Sequence, residues 1–209
     1  MSRVLLASRN AKKLAELQRI LGDRVRVLGL DDVTQFPEEP ETGATFEENA
    51  TAKAMQAARE TGEISLADDS GLTVDALNGM PGVLSARWSG RHGDDAANTA
   101  LLLAQLGDVP EERRGAAFVC ALALAVPDGS VLVKRAEWRG RIIREPIGSN
   151  GFGYDPVFVP TESDEAGDGR TSAELAPAEK DALSHRGRAL ALLLPELTAV
   201  LQRQDNEKG

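Results

Sequence analysis

The sequence predicts an α/β fold, and three observations carry that prediction. Short apolar runs of strand length, such as Val4-Leu5-Leu6-Ala7-Ser8 and residues 115–126 (GAAFVCALALAV), alternate with stretches whose apolar residues recur at helical spacing. The chain opens strand–loop–helix: Leu14, Leu17, Ile20 and Leu21 mark one helical face and Gly22 the stop. Pro127-Asp128-Gly129, between the run 115–126 and the run 131–138, signals a hairpin.

Each element follows in order. Residues 12–21 form the first helix and 25–30 (VRVLGL) a second strand. Residues 35–44 are a Pro- and Glu-rich loop. Thr45-Phe46-Glu47-Glu48 fits a capping box, with Thr45 as N-cap and Glu48 reaching back. The Ala-rich helix behind it ends at Gly62. Ile64 to Ala67 then form a strand that runs into a tight turn at Asp68-Asp69-Ser70-Gly71. More turns follow over Leu77–Gly82, and a helix over 94–106. The run 115–126 is expected to be buried on both sides, since Phe118, Cys120, Leu122 and Leu124 face one way and four small apolar residues the other. Residues 161–170 are acidic and read as a mobile surface loop. Residues 172–183 hold a helical pattern that Pro177 interrupts. The last helix, introduced by Ser184-His185-Arg186, should kink or restart at Pro195. Its tail, 203–209, is expected to fray. With no internal repeat and no linker, residues 1–209 read as one domain.

Bulk properties narrow the function classes. The 209 residues suffice for one large domain or two small lobes around a cleft. A net charge of −9 argues against a broad nucleic-acid footprint or attachment to an anionic membrane, yet leaves room for a small anionic ligand. The single cysteine, Cys120, lies in an apolar run and reads as a buried, inert thiol of a reducing compartment. No apolar run is long enough to span a membrane and no secretory leader is recognisable, so a cytoplasmic protein is expected.

Four groups of residues could carry chemistry. Between the first strand and helix, Ser8 to Lys13 leave backbone N–H groups free for an anion and add the charge of Lys13; a simple helix cap is the plainer reading. Asp68 and Asp69, adjacent at a strand end, point to opposite faces and so should differ in role. With one carboxylate from Glu38, Glu39 or Glu41, that pair suits Mg²⁺ or a general base; turn capping and a solvated acidic loop are the alternatives. In Gly148–Pro156 the glycines permit close backbone approach and Phe152 and Tyr154 offer flat faces to a base, unless both rings are tucked into the core. His185 and Arg186 offer donors to an oxo group or phosphate, or are structural.

Six blocks then occur in order: Ser8-x-Asn10-x-x-Lys13, Glu41-Thr42-Gly43-x-Thr45-Phe46-x-Glu48-Asn49-Ala50, Ala67-Asp68-Asp69-Ser70-Gly71-Leu72, Pro81-Gly82-Val83-x-Ser85-Ala86-Arg87, Gly151-Phe152-Gly153-Tyr154-Asp155-Pro156 and Ser184-His185-Arg186. Together they resemble the inosine/xanthosine triphosphate pyrophosphatases, the Ham1-like non-canonical purine nucleoside triphosphate pyrophosphatases, over nearly the whole chain. The resemblance implies an elongated mixed sheet flanked by helices, in two lobes around a central cleft. It implies that water attacks the α-phosphorus of ITP, dITP or XTP, releasing the monophosphate and pyrophosphate and clearing deaminated purines. It also implies Mg²⁺ dependence and a homodimer. Matched residue by residue, Asp69 is the general base and a metal ligand, and Glu41 the second metal carboxylate. Ser8, Asn10 and Lys13 match the triphosphate loop. Ser70, Phe152, Gly153, Tyr154, Asp155, Lys180, His185 and Arg186 match positions around the substrate. His185 and Arg186 would aim donors at a 6-oxo group, where adenine would present donors of its own.

Two features depart from the family pattern: Arg9, which either adds a phosphate contact or faces solvent, and the acidic loop 162–169, longer than expected. A non-catalytic nucleotide-binding module of the same fold, and a pyrophosphatase for other bases, are the competing readings.

Overall fold

A computed structural model describes residues 2–22 and 25–207. Strand β1 (Ser2–Leu6) is followed by α1 (Ala11–Leu21), β2 (Val25–Leu28), α2 (Phe46–Thr61) and β3 (Ser65–Val74). Next come α3 (Asp95–Gln105), the paired strands β4 (Gly115–Ala125) and β5 (Val131–Ile142), and β6 (Phe158–Pro160). Three helices close the chain: α4 (Thr161–Ala166), α5 (Pro177–Leu183) and α6 (His185–Glu207). Among the described residues the six strands form one sheet in the order β2-β1-β3-β4-β5-β6. It is mixed: β1 pairs parallel with β2 and β3, whereas β5 and β6 are antiparallel, with Arg141 opposite Val159. As the alternating pattern predicts, β4 is buried from Ala116 to Ala125.

The chain divides into two compact units. The first comprises Met1–Asp69, Cys120–Ala136 and Arg186–Gly209. Its core packs Val4, Leu6, Leu17 and Leu66 with Leu122, Leu193 and Leu197. The second comprises Ser70–Val119 and Glu137–His185 and is built on Leu72, Leu102, Phe118, Trp138, Tyr154 and Phe158. Strands β3, β4 and β5 each contribute residues to both units.

Four expectations are corrected. The turn at Asp68–Gly71 does not form, because β3 continues to Val74. Leu72 and Val74 are fully buried, and side chains from elsewhere in the fold pair with both carboxylates, Lys13 with Asp68 and Asn49 with Asp69, so neither has to cap a turn. The acidic stretch 161–170 is not a loose loop. It contains α4, with Glu162 accepting from Trp138 Nε1 at 3.0 Å and Asp164 held by the fork of Arg141 at 2.7 and 2.8 Å. Pro177 does not interrupt a helix. It starts α5, where a missing N–H costs nothing. Helix α6 does not restart at Pro195 but continues through it, with Leu190, Leu193, Leu197 and Leu201 in the core of the first unit. The helix extends to Glu207, while Lys208 and Gly209 of the tail lie outside the described residues. Smaller differences concern β5, which runs beyond residue 138 to Ile142, and the reach-back of Glu48, which accepts from Ala44 N at 2.7 Å rather than from the cap residue.

Candidate active site

In the first unit the sequence Ser8–Lys13 joins β1 to α1. Asn10 is the N-cap, its Oδ1 accepting from Lys12 N at 3.0 Å and Lys13 N at 3.3 Å. Ser8 Oγ accepts from Asn10 N at 3.2 Å. The plainer capping reading thus describes their side chains. Lys13 Nζ lies 2.9 Å from Asp68 Oδ2, and Arg9 pairs with Glu38 and, at 3.5 Å, Asp31.

Asp68 and Asp69 point to different partners. Asp68 is 2% exposed and its Oδ2 lies between Lys13 and the guanidinium of Arg186, whose Nη2 is 3.1 Å away. Burial alone would hinder its ionisation, yet Lys13, Arg186 and Lys53 outweigh it and hold the carboxyl well below the usual range. Arg186 is itself buried and also bonds Glu16 on α1. Burial opposes its charge, and Asp68 with Glu16 raises its pKa nonetheless. Here the side chain of Arg186 is committed to two carboxylates, rather than presented to a ligand.

Asp69 is 8% exposed, and burial pushes its pKa up against the pull of Lys53 and Asn49. Asn49 Nδ2 donates to its Oδ2 at 2.9 Å, and Lys53 Nζ lies 3.6 Å from its Oδ1. Lys53 also donates to Glu41 Oε1 and to the carbonyl of Asp68, each at 2.8 Å. Of the three loop glutamates, Glu38 pairs with Arg9 and Glu39 with Arg59; Glu41 is the one that shares Lys53 with Asp69.

Two carboxylates around one cationic point are suited to a hard divalent ion. Among the described residues no three His, Cys, Asp or Glu side chains gather into a metal cage. Mg²⁺ typically takes one or two carboxylates from a protein and completes its shell with water and phosphate, and Glu41 and Asp69 are two carboxylates beside one another on Lys53. Glu41 and Lys53 also line a pocket with Phe36 and Gln56.

Sequence reasoning missed Lys53 and Glu16. The signal was there for Lys53: on α2 the buried positions 46, 50, 54 and 57 define an apolar stripe, and Asn49 and Lys53 border it at i and i+4. Charge beside such a stripe needs a partner.

The second unit carries the remaining residues. Tyr154 is a core residue whose hydroxyl donates to Ser85 O at 2.9 Å, and burial, helped by Asp95, pushes its pKa up. Phe152 is half-buried, with Lys180 Nζ 5.4 Å from its ring centre. Asp155 folds back on its own loop: Oδ2 accepts from Phe152 N at 2.8 Å and binds Lys180, while Oδ1 accepts from Ser172 Oγ at 2.8 Å. Gly151 sits at φ +78°, and a Cβ there would meet Asp155 Oδ2 at 2.0 Å, so only glycine allows this fold-back. Gly153 N donates to Asp95 Oδ2 at 2.8 Å. His185 is buried and stacks on Phe118, with ring centres 5.1 Å apart and planes 13° from parallel. Ser70 follows Asp69 on β3 and is half-buried.

Comparison with known proteins places this geometry. The model of the Ham1 family matches residues 4–196. The chain is 65% identical to the dITP/XTP pyrophosphatase of Nocardia farcinica, covering 98% of this chain and 99% of that one. It is 68% identical to the dITP/XTP pyrophosphatase of Mycolicibacterium paratuberculosis, covering 94% and 96%. Among solved structures, the nucleoside-triphosphatase / dITP/XTP pyrophosphatase of Mycobacterium abscessus superposes with a TM-score of 0.75 at 64% identity, over 92% of this chain and 99% of that one. A HAM1 protein from Coxiella burnetii gives 0.82 at 44% identity, over 95% and 100%. These matches span nearly the full length of both partners, and the chain belongs to the Ham1 family.

Proposed function

We propose that the protein hydrolyses dITP, XTP and ITP to the monophosphate and pyrophosphate. The observation that carries this reading is Asp69, a buried carboxylate with a raised pKa whose oxygens face Asn49 and Lys53 and which shares Lys53 with Glu41. The relatives named dITP/XTP pyrophosphatase support the substrate class.

In this reading Asp69 takes a proton from water as the water oxygen bonds to the α-phosphorus and the bond to the bridging oxygen breaks. The electron pair leaves with pyrophosphate. A raised carboxylate pKa brings the base nearer neutrality, where proton transfer is most effective. Lys53 keeps a positive charge: burial would lower its pKa, and Asp69, Asp68 and Glu41 together outweigh it. Mg²⁺, held by Glu41 and Asp69, supplies charge neutralisation to the phosphates when bound. Lys13, on the first turn of α1, exchanges Asp68 for phosphate oxygens; Ser8, Arg9 and Asn10 complete that loop. In the second unit Phe152 stacks on the purine, with Ser70, Gly153, Tyr154, Asp155 and Lys180 shaping its surroundings. His185 and Arg186 read the 6-oxo group, which requires Arg186 to leave at least part of its present pairing. The reading includes a cytoplasmic homodimer, testable by sedimentation.

Pyrophosphate release with Mg²⁺ across dITP, XTP, ITP, GTP and ATP tests the proposal. Fast release from the first three with little from GTP and ATP is the expected result; reading the 6-oxo group excludes only ATP, and rejection of GTP has to act on the 2-amino group of guanine. Tight binding of dITP without release from any nucleotide would replace hydrolysis with nucleotide binding alone.

A further inference from the structure

The side chain of Asn49 touches both segments that carry the carboxylate pair. It is 2% exposed in the first turn of α2. Its Oδ1 accepts from Gly43 N at 2.8 Å, two residues after Glu41, and its Nδ2 donates to Asp69 Oδ2 at 2.9 Å. The orientation of the amide follows from its neighbours. Gly43 N–H can only donate, so it must face the oxygen; a carboxylate can only accept, so it must face the nitrogen. No other side chain of this size meets both demands. Aspartate would serve Gly43 but confront Asp69 with a second negative charge, and leucine would serve neither.

The surrounding geometry leaves little freedom. A Cβ on Gly43 would lie 2.6 Å from Asn49 Oδ1 and 2.8 Å from Glu48 Cβ, so the loop backbone sits directly against the amide. One helical turn further along α2, Lys53 binds Glu41 and lies beside the other oxygen of Asp69. Two residues of a single rigid helix thus hold both the loop bearing Glu41 and the strand residue Asp69.

We propose that Asn49 is a positioning residue that sets the spacing of Glu41 and Asp69, and through it the affinity for the divalent cation, without touching substrate. The proposal rests on the reading of Asp69 and Glu41 as the carboxylate pair. Residues standing behind metal ligands typically change metal affinity or activity by about 10–100-fold when removed.

The test uses the full-length protein with Mn²⁺ as probe, bound without nucleotide and followed by electron paramagnetic resonance, beside amide-proton exchange at Gly43. In Asn49→Ala we expect Mn²⁺ binding to weaken by about tenfold or more, faster exchange at Gly43, and a higher Mg²⁺ requirement for turnover. The KM for dITP at saturating Mg²⁺ should stay within about twofold, which separates positioning from substrate contact. Asn49→Asp keeps the acceptor for Gly43; there we expect protected exchange at Gly43 with reduced turnover, and this isosteric variant decides the matter should the alanine variant fail to fold. Wild-type Mn²⁺ affinity in Asn49→Ala, or wild-type turnover in Asn49→Asp, overturns the proposal. Asp69→Asn run in parallel separates the two levels. If it is inactive while both Asn49 variants behave as wild type, positioning alone fails; if it binds Mn²⁺ and turns over as wild type, the reading of the carboxylate pair fails.

Discussion

Asp68 gives up its accessible surface to Lys13 and Arg186, whereas Asp69 meets Asn49 and Lys53, and their pKa values move in opposite directions. That contrast has consequences for stability. The pKa of Asp68 is depressed, so its contribution is complete above the ordinary carboxylate value, about 3.9, and is lost as pH falls toward the folded value. The wild-type Tm should therefore drop on acidification below about pH 4, with a shallower slope in Asp68→Asn. That variant should cost about 3–5 kcal/mol at neutral pH, since Lys13 and Arg186 lose a buried partner, and urea denaturation measures it. Asp69 has the reverse sign. Its raised pKa means that the ionised form is disfavoured in the native state, so stability declines as pH rises from the unfolded value through the folded one. Asp69→Asn should consequently raise Tm at pH 7 while lowering kcat by about 10²–10⁴-fold, and calorimetry beside a pyrophosphate assay checks both.

At the scale of elements, local rules placed most helices and strands, and a few polar side chains tie them together. Arg114, 1% exposed just before β4, shows how. Its guanidinium donates to the carbonyls of Leu106 at 2.6 Å, Ile142 at 2.7 Å and Ile143 at 3.2 Å. It thereby caps the end of α3 and fixes the chain as it leaves β5. Burial lowers its pKa, yet arginine stays charged, so these carbonyls are its solvation. Arg114→Met should cost about 3 kcal/mol by leaving them unsatisfied, and lower Tm by roughly 6–12 °C. By contrast, removing the half-exposed partner of Arg141 with Asp164→Ala should cost less than about 1 kcal/mol. Comparison of the two by thermal melts would show that burial, not charge count, sets the size of the effect.

For the whole molecule, strands β3, β4 and β5 each contribute residues to both units, so the chain passes from one unit to the other within each of them. Both tryptophans, Trp88 and Trp138, belong to the second unit, while α1, α2 and, from Arg186 on, α6 belong to the first. Unfolding followed by tryptophan fluorescence should therefore coincide with unfolding followed by far-ultraviolet circular dichroism. Separate transitions would show that the shared strands do not couple the units.

Read alone, the sequence determined what depends on near neighbours. The spacing of apolar residues located α1 and α3, a capping box and an Ala-rich run located α2, Asn10 and Thr45 sit at the caps, and the small-and-large alternation of β4 predicted its burial. The order of six short blocks pointed to the family that the comparisons bear out. Tertiary structure decided what depends on distant partners. Asp68-Asp69-Ser70-Gly71 has turn composition, yet Lys13, Asn49, Lys53 and Arg186 pair with its carboxylates from three helices, and the strand runs on. Glu41 is distinguished from Glu38 and Glu39 only by Lys53, and Tyr154 from Phe152 only by burial against Ser85. Backbone preference and periodicity act over a few residues and are written locally; the choice of partner for a buried charge is made by whichever groups the fold brings within hydrogen-bonding distance, and no local pattern contains that information.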